Sequence, residues 1–275
     1  MLTCPLCGVE IDENTRVCPA CRANLAGGGA PRGAPSSYGM VLAGILIGIV
    51  LLGVVVALLL PKRSRAREPA HRSTSKSYLR QLAIAVHNYH ETYRSFPVAE
   101  QQFDAGAARH GWQTHLLSYL DERLTYDAID FGRNWDDPAN AAPFRTRIVT
   151  FQISGVTDTH DARGYPLMHY AGNVHVLGRV PALTFSDIKD GLHNTILIGE
   201  VTEGLRAWGD PGNLRDPALG LNRGPATFGS AWKDGGVQFA AADHSIHYIA
   251  SDAAPHVLKA LATPDGGELL TFPEP

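Results

Sequence analysis

Four cysteines within the first 21 residues are the clearest candidates for chemistry in this sequence. Cys4 and Cys7 form one C-x2-C pair, Cys18 and Cys21 form a second, and ten residues separate the pairs. Each pair can form a tight turn with both sulfurs on one side, so two turns supply a tetrahedral set of four thiolates. Such a set favours zinc, and a segment this small needs the metal for its folding energy. The sequence therefore predicts a structural Zn²⁺ site; a dithiol redox pair is the alternative.

Histidine is the other frequent residue type with metal-binding or catalytic chemistry, with twelve in 275 residues. His87 and His90 lie three apart on a predicted helix, close enough to share a ligand, but packing or capping is the role we favour. His244 and His247 flank the start of a predicted strand, where this spacing places side chains on opposite faces. The sequence also has no nucleophile elbow, phosphate loop or H-E-x-x-H motif. We therefore predict no catalytic residues.

Acidic loops and tryptophans are weaker candidates for a binding site. The loops at 135–138 and 158–161 carry carboxylates, but Ca²⁺ needs six or more oxygens from a shaped loop, and turns explain their Asp and Pro equally. Core packing is likewise the default role of the four tryptophans. The formal net charge is −3, so no overall field attracts nucleic acid, and no nucleic-acid partner is predicted.

One uncharged stretch has the length of a membrane span. Gly39 to Leu60 is 22 residues without a charge, and a helix of that length crosses the ~30 Å hydrocarbon core of a bilayer. The Gly/Pro/Ser-rich residues 26–38 predict a flexible linker before it. Gly44 and Gly48 form a G-x-x-x-G pair, which can bring two membrane helices together, although Gly is also simply common in such helices. We predict a single-pass membrane protein with the lipid bilayer as its partner.

Two features give opposite indications of the orientation in the membrane. Lys62, Arg63, Arg65 and Arg67 follow the apolar stretch, and the positive-inside rule would place that side in the cytoplasm. The cysteine segment argues for the reverse, because reduced thiolates belong in the cytosol. The family resemblance described below favours a cytoplasmic N-terminus.

The remaining chain predicts an α+β domain over residues 61–275. A helical repeat runs from Tyr78 to Tyr93 and ends at Ser95-Phe96-Pro97, because a residue before proline avoids the αR region. A second short helix is predicted over 112–123 and a last one over 255–262. The predicted strands are 147–153, 195–201 and a hairpin of 237–241 with 246–250 around Asp243-His244.

Several segments together resemble a known family over roughly residues 55–270. It is the bacterial domain-of-unknown-function family DUF1559, abundant in planctomycetes. Residues 1–25 are in turn similar to the short bacterial zinc-ribbon family. The segments that carry the DUF1559 resemblance are Leu79–His90, Ser95–Pro97, Trp135–Asn140, Tyr170–Asn173, Asn194–Glu200 and Leu258–Ala262.

The resemblance implies a pilin-like or pseudopilin-like protein. In such proteins a long N-terminal helix anchors in the inner membrane and continues into an extracytoplasmic domain, where it packs on an antiparallel sheet. The span 39–60 and the helix 78–94 would be that element here. A basic stretch after the membrane is common in the family despite its outward location, and this decides the orientation.

The sequence departs from the family pattern at three places. Family members usually carry a basic leader cleaved before Phe, with Glu five residues into the mature helix, whereas this chain has Gly39-Met40 and Gly44. We therefore expect no prepilin-peptidase processing. The C-terminal signature His, nine residues, Asp-Gly is replaced by Trp232, ten residues, Asp243-His244. Cysteines that the family often has near Ser75 and Ile153 are also absent.

Three hypotheses for function follow. The first is a non-enzymatic, membrane-anchored, pilin-like binding or assembly module at the cell envelope. The second is a zinc-ribbon sensor or scaffold of an envelope secretion system of the type II kind. The third is an extracytoplasmic hydrolase that uses an unrecognised His/Asp set. In each, residues 1–25 are cytoplasmic and residues 61–275 lie outside the inner membrane.

Overall fold

A computed structural model describes residues 2–25, 42, 44–52, 63–99, 109–268 and 270–273, and the backbone alone for 63–67. The chain divides into two compact units, Met1–Lys62 and Arg63–Pro275. In the first unit, β1 (Leu2–Thr3) pairs antiparallel with β2 (Glu10–Ile11), and residues 44–52 are helical.

The predicted membrane helix 39–60 falls largely outside this described part of the chain. Within the described ranges, no helix combines the length and the apolar character that crossing a bilayer requires. The linker 26–38 lies outside the described residues altogether.

The second unit contains five α-helices and seven short strands among its described residues. The helices are Arg63–Tyr93, Arg123–Asp127, Ala141–Phe144, Val174–Leu177 and Pro255–Ala262. Six 3₁₀ segments are Trp112–Tyr119, Pro138–Asn140, Val149–Phe151, Phe185–Asp187, Leu192–Asn194 and Pro217–Leu219. The strands are β3 (Leu167–Met168), β4 (Tyr170–Asn173), β5 (Ile196–Glu200), β6 (Arg206–Ala207), β7 (Leu214–Arg215), β8 (Val237–Ala241) and β9 (Ile246–Ile249).

The long helix Arg63–Tyr93 has the apolar stripe that its sequence predicts. Leu79, Leu82 and Val86 are fully buried and face a five-stranded sheet, where the helix contacts β5, β8 and β9. The helix stops at Tyr93 because Arg94, whose amide bonds to the His90 carbonyl, takes a left-handed φ of 58°, a common helix end. The prediction of a helix on a sheet is confirmed.

The sheet is mixed rather than antiparallel, which corrects the prediction. Its strand order is β7-β4-β5-β8-β9; β4, β5, β8 and β9 pair antiparallel, but β7 runs parallel to β4. The chain leaves β5 and returns to the far edge of the sheet, beyond β4. A two-residue strand carries no alternation of polar and apolar residues, so its direction has no local signal.

Two further predicted elements differ in the structure. The apolar run 147–153 is not a strand: it contains the 3₁₀ segment Val149–Phe151, with Ile148 and Ile153 buried and Val149 exposed. Short apolar runs do not distinguish strand from turn by periodicity. The helix predicted over 112–123 is a 3₁₀ helix at Trp112–Tyr119, followed by a separate short helix from Arg123.

The C-terminal hairpin agrees closely with its prediction. β8 and β9 pair from Val237↔Ile249 to Ala240↔Ile246, and the amide of His244 donates to the carbonyl of Ala241 at 3.0 Å. His244 takes the left-handed conformation, with a φ of 63°, at a position where hairpins of this type usually have glycine. The departure from Asp-Gly is thus accommodated without loss of the hairpin.

Candidate functional site

The four cysteines of the first unit meet at one point. Their Sγ atoms all lie within 4.8 Å of one another, with Cys4 and Cys21 3.7 Å apart and Cys7 and Cys18 3.6 Å apart. All four are free thiols, since a disulfide needs about 2.05 Å. Among the described residues, they form the one group of three or more His, Cys, Asp or Glu side chains placed to hold a metal ion.

The separations match the geometry of a tetrahedral metal site. A tetrahedron with metal–sulfur bonds of about 2.3 Å has sulfur–sulfur edges of about 3.8 Å, close to the two distances found. The backbone amide of Cys21 lowers the pKa of Cys18 to about 6 despite burial, which favours its thiolate. The amide of Val9 also lowers the pKa of Cys7, but the neighbouring thiols of Cys21 and Cys18 outweigh it and raise the value to about 12. The four sulfurs are thus placed to hold a metal ion.

Each cysteine pair is held by the same turn. The amide of Gly8 donates to the carbonyl of Cys4 at 2.9 Å, and the amide of Arg22 donates to the carbonyl of Cys18 at 2.8 Å. Both residues follow the second cysteine of their pair, and both are left-handed, with φ of 73° for Gly8 and 55° for Arg22. Glycine adopts this conformation freely, whereas a residue with a Cβ is strained by roughly 1–2 kcal/mol.

This equivalence gives a matched pair of substitutions. We expect Gly8→Ala to weaken metal retention by about 1 kcal/mol, although no atom lies within 4 Å of the added Cβ, because the φ alone is unfavourable. Arg22→Gly should strengthen retention by less than about 1 kcal/mol, since strain is relieved but the unfolded chain gains entropy. Competition with a metal chelator measures both, and the same sign for both variants would contradict the assignment.

A buried carboxylate connects the long helix to the sheet in the second unit. Glu200, at the end of β5, is fully buried, and burial raises its pKa to about 7 against the hydrogen bonds that it accepts. Ser75 on the long helix donates to Oε1, while Trp232 Nε1 and the amide of Gln238 donate to Oε2 at 2.8 and 3.0 Å. The sequence prediction did not identify this cluster; its one local signal is a glutamate that ends an apolar strand.

An arginine on the same helix closes this cluster from outside. The Arg72 guanidinium lies over the rings of Trp232 and Tyr248, 5.4 and 5.5 Å from their centroids, and pairs with Asp234 at 2.9 Å. The carbonyl of Arg72 accepts from Gln238 Nε2 at 3.1 Å. The cluster thus connects the helix to the sheet, and Glu200 is shielded from solvent.

Four polar side chains around the hairpin turn have the composition of a catalytic set. Ser245 Oγ lies 2.7 Å from His247 Nε2 and bonds to Asp243 Oδ1, while His193 Nδ1 lies 3.0 Å from Asp243 Oδ2. Although burial raises the pKa of Asp243, its bonds from Ser245 and His193 hold that pKa below its usual value. Burial and the neighbouring His193 lower the pKa of His247.

The proton arrangement of this set does not suit nucleophilic catalysis. An ionised Asp243 can only accept, so the Ser245 hydroxyl donates to it. With its proton on Nε2, His247 donates to the Ser245 oxygen and does not act on the hydroxyl as a general base. The amide of Ser245 also donates to Asp243 Oδ1 at 2.9 Å. The set therefore stabilises the turn.

The other predicted histidines contribute to packing. His87 Nε2 lies 2.6 Å from the carbonyl of Ala242, and His90 stacks on Phe185 with centroids 3.8 Å apart and accepts from its amide at 3.2 Å. Burial lowers the pKa of both. His87 thus joins the long helix to the hairpin turn, and both histidines contact the ring of Phe185, 4.6 Å from His87 and 3.8 Å from His90.

The acidic loops and tryptophans have structural partners. Asp137 accepts from the amide of Ala139 at 2.8 Å, and Asp161 caps its own turn and pairs with Arg163. The tryptophans are buried, with exposed fractions of 0–7% for Trp112, Trp135, Trp208 and Trp232.

Comparison with known families bears on the segment that contains most of the long helix. Residues 64–164 match the family model SBP_bac_10, described as "Protein of unknown function (DUF1559)". This confirms the resemblance for that segment, and DUF1559 is a pilin-like family of unknown function. The wider extent of the resemblance, 55–270, stays a prediction. Comparisons with curated proteins and with solved structures give no match.

Proposed function

We propose that this chain is a non-enzymatic, single-pass protein of the cytoplasmic membrane, with a pilin-like domain that serves binding or assembly at the cell envelope. Residues 1–25 would lie in the cytoplasm as a zinc ribbon with a structural Zn²⁺ on Cys4, Cys7, Cys18 and Cys21. Residues 61–275 would lie outside the membrane. The bilayer is then the partner of residues 39–60.

The observation that carries the membrane assignment is the exposure of the apolar helix at 44–52. Ile45, Leu46, Ile47, Ile49, Val50, Leu51 and Leu52 are between 54% and 64% exposed. A water-soluble helix buries one apolar face, and a run of exposed aliphatic side chains around a helix suits lipid. Gly44 and Gly48 lie one turn apart on this helix, and a Cβ added to either would have no other atom within 4 Å, which leaves space for a second helix.

The pilin-like assignment is supported by the DUF1559 match and by the long helix on the sheet. That helix is described from Arg63, and the apolar stretch 39–60 ends three residues before it in the sequence. The proton arrangement of Ser245 and His247 supports a role without catalysis.

Protease protection tests the orientation. In cells that express the chain with a tag at each end, we expect alkali-resistant membrane association, digestion of the C-terminal tag in spheroplasts, and digestion of the N-terminal tag only after lysis. The double variant Leu51→Arg/Leu52→Arg should abolish membrane association, because each arginine costs about 3 kcal/mol at the centre of a membrane helix. Recovery of the wild-type chain in the soluble fraction without detergent would refute the proposal.

A second candidate function, a cytoplasmic scaffold of a secretion system, is favoured by the surface of residues 2–25. Leu2, Leu6, Val9 and Val17 are 56%, 76%, 42% and 51% exposed, an unusual apolar content for a unit of two dozen residues. We expect Leu6→Ser/Val9→Ser to retain the metal and to lose crosslinks to secretion proteins that the wild-type chain forms in cells. Equal crosslinking of both chains would reject this candidate.

A further inference from the structure

One arginine in the second unit is buried without a counter-charge. Arg215, in β7 at the edge of the sheet, is 5% exposed. Its Nη1 and Nη2 donate to the carbonyls of Leu214 and Gly204 at 2.8 and 2.7 Å, and its Nε has no partner. Among the described residues, it forms no ion pair within 4.0 Å. Burial of a charge without an opposite charge is costly.

The other arginines around this region are paired. Arg206 contacts Asp210 at 3.0 Å, and Arg163 contacts Asp161 at 3.2 Å and Asp136 at 3.6 Å. Burial, followed by the neighbouring charge of Arg206, lowers the pKa of Arg215, and Asp210 only partly opposes this. The Arg206 guanidinium is thus a second positive charge near Arg215, and Asp210 pairs with Arg206.

Arg215 and Arg206 line a cavity of about 500 Å³, within the range of small-molecule sites. Its other walls are largely apolar and include Val174, Leu214, Leu219, Pro225 and Ala226. The one acidic residue in its lining is Asp216, whose Oδ1 is already bonded to His175 Nε2 at 3.0 Å and to the amide of Ala218 at 2.9 Å. The cavity lining thus combines two guanidinium groups and one hydrogen-bonded carboxylate with apolar side chains.

We propose that this cavity binds a small amphiphilic anion, in which a carboxylate is carried by a short aliphatic or aromatic group. The carboxylate would contact the Arg215 guanidinium where it lines the cavity, with Arg206 as the second cation. The apolar group would pack against Leu214 and Val174. This ligand site goes beyond the proposed assembly role and is independent of the orientation in the membrane.

Benzoate is a suitable probe, with benzamide as its neutral isostere. Saturation-transfer NMR on the full-length chain in micelles should give saturable benzoate binding, with benzamide bound about tenfold more weakly or not at all, since a hydrogen bond to a charged group contributes more than a neutral one. Protein-free micelles correct for partition into detergent. No binding of benzoate, or equal binding of benzoate and benzamide, would overturn the proposal.

Two variants locate the binding. Arg215→Gln should reduce benzoate affinity about tenfold or more. Ala226→Trp places a large side chain at an exposed residue of the lining and should abolish benzoate binding while the hydrogen bonds of Arg215 stay intact. If Arg215→Gln does not fold, Ala226→Trp alone tests whether benzoate binds in this cavity. Ala139→Trp, at an exposed alanine outside the cavity, is the control and should bind as wild type. Unchanged affinity in Ala226→Trp would also overturn the proposal.

Discussion

Replacement of Cys18 by serine is expected to abolish metal binding and to unfold residues 2–25, while the second unit stays folded. The Cys18 side chain is fully buried among the other three sulfurs, and β1 and β2 contribute only two residues each. Structural zinc in small domains of this kind supplies apparent binding free energies of about 10–16 kcal/mol, so loss of one ligand removes most of the folding energy of the unit.

Three readouts separate metal loss from general damage. The zinc content measured by elemental analysis should fall from about one ion per wild-type chain to near zero in the variant. The remaining cysteines of the variant should react rapidly with an alkylating agent. The midpoint of unfolding, followed by tryptophan fluorescence, should not change. All four tryptophans lie in the second unit: Trp112, Trp135, Trp208 and Trp232. Thr3→Ser, at an exposed residue of the same unit, is the matched control.

Two results would contradict this expectation. Cys18→Ser with a full metal content would mean that the cysteines do not form a single four-ligand site. A wild-type chain purified without metal and with two disulfides would favour the redox dithiol alternative instead. The Sγ distances of 3.6 and 3.7 Å fit the metal site, because they are close to tetrahedral edges and exceed a disulfide bond by more than about 1 Å.

Features that depend on neighbours in sequence could be predicted. The C-x2-C pairs meet as expected, the helix Pro255–Ala262 has its predicted bounds, and the hairpin 237–249 has its turn at the predicted residues. In each, the signal is local: cysteine spacing, proline in a first turn, or alternation around a turn. Local signals were therefore sufficient for the four-cysteine cluster, for the hairpin and for the last helix.

Features that depend on distant residues could not be predicted. Ser75 and Glu200 are 125 residues apart, and the two carbonyls that hold Arg215 belong to its own strand and to a loop eleven residues earlier. A lone glutamate or arginine at the end of a short apolar run looks like a solvent-exposed strand end. Only the packing of the long helix and of the loop at Gly204 makes these charges buried.

Glutamine at position 200 is expected to remove a pH dependence of stability that the wild-type second unit possesses. The pKa of Glu200 is about 7 in the folded chain, against an ordinary value of 4.5 for a glutamate in water. Between these values the native state binds a proton that the unfolded state has lost, so the free energy of unfolding falls as pH rises. From pH 5 to 8 the contribution is roughly 2–3 kcal/mol.

Urea unfolding followed by tryptophan fluorescence measures this effect at pH 5, 6, 7 and 8. The buried histidines, whose folded pKa values are lowered, act in the opposite sense, so the difference between wild type and Glu200→Gln is the quantity to compare. As pH rises, the free energy of unfolding of the wild type should fall relative to that of Glu200→Gln. Glu203→Gln, at an exposed glutamate three residues on, should leave the wild-type profile unchanged. A difference that stays constant with pH would show that Glu200 does not titrate in this range.

The variant Glu200→Leu separates two contributions of Glu200 to the free energy of unfolding, that of its charge and that of its hydrogen bonds. Ser75 Oγ, Trp232 Nε1 and the amide of Gln238 all donate to this carboxylate, and each buried donor left unsatisfied costs about 1–3 kcal/mol. We therefore expect Glu200→Leu to lose at least about 2 kcal/mol at every pH, because Trp232 Nε1 and the amide of Gln238 are left without an acceptor when the carboxylate is gone. Glutamine keeps an acceptor for Trp232 and Gln238, and its amide group can donate to Ser75 while that hydroxyl turns to Tyr170, 3.0 Å away. We therefore expect the long helix to be held to the sheet most firmly while Glu200 is protonated, and its attachment to weaken as pH rises through about 7.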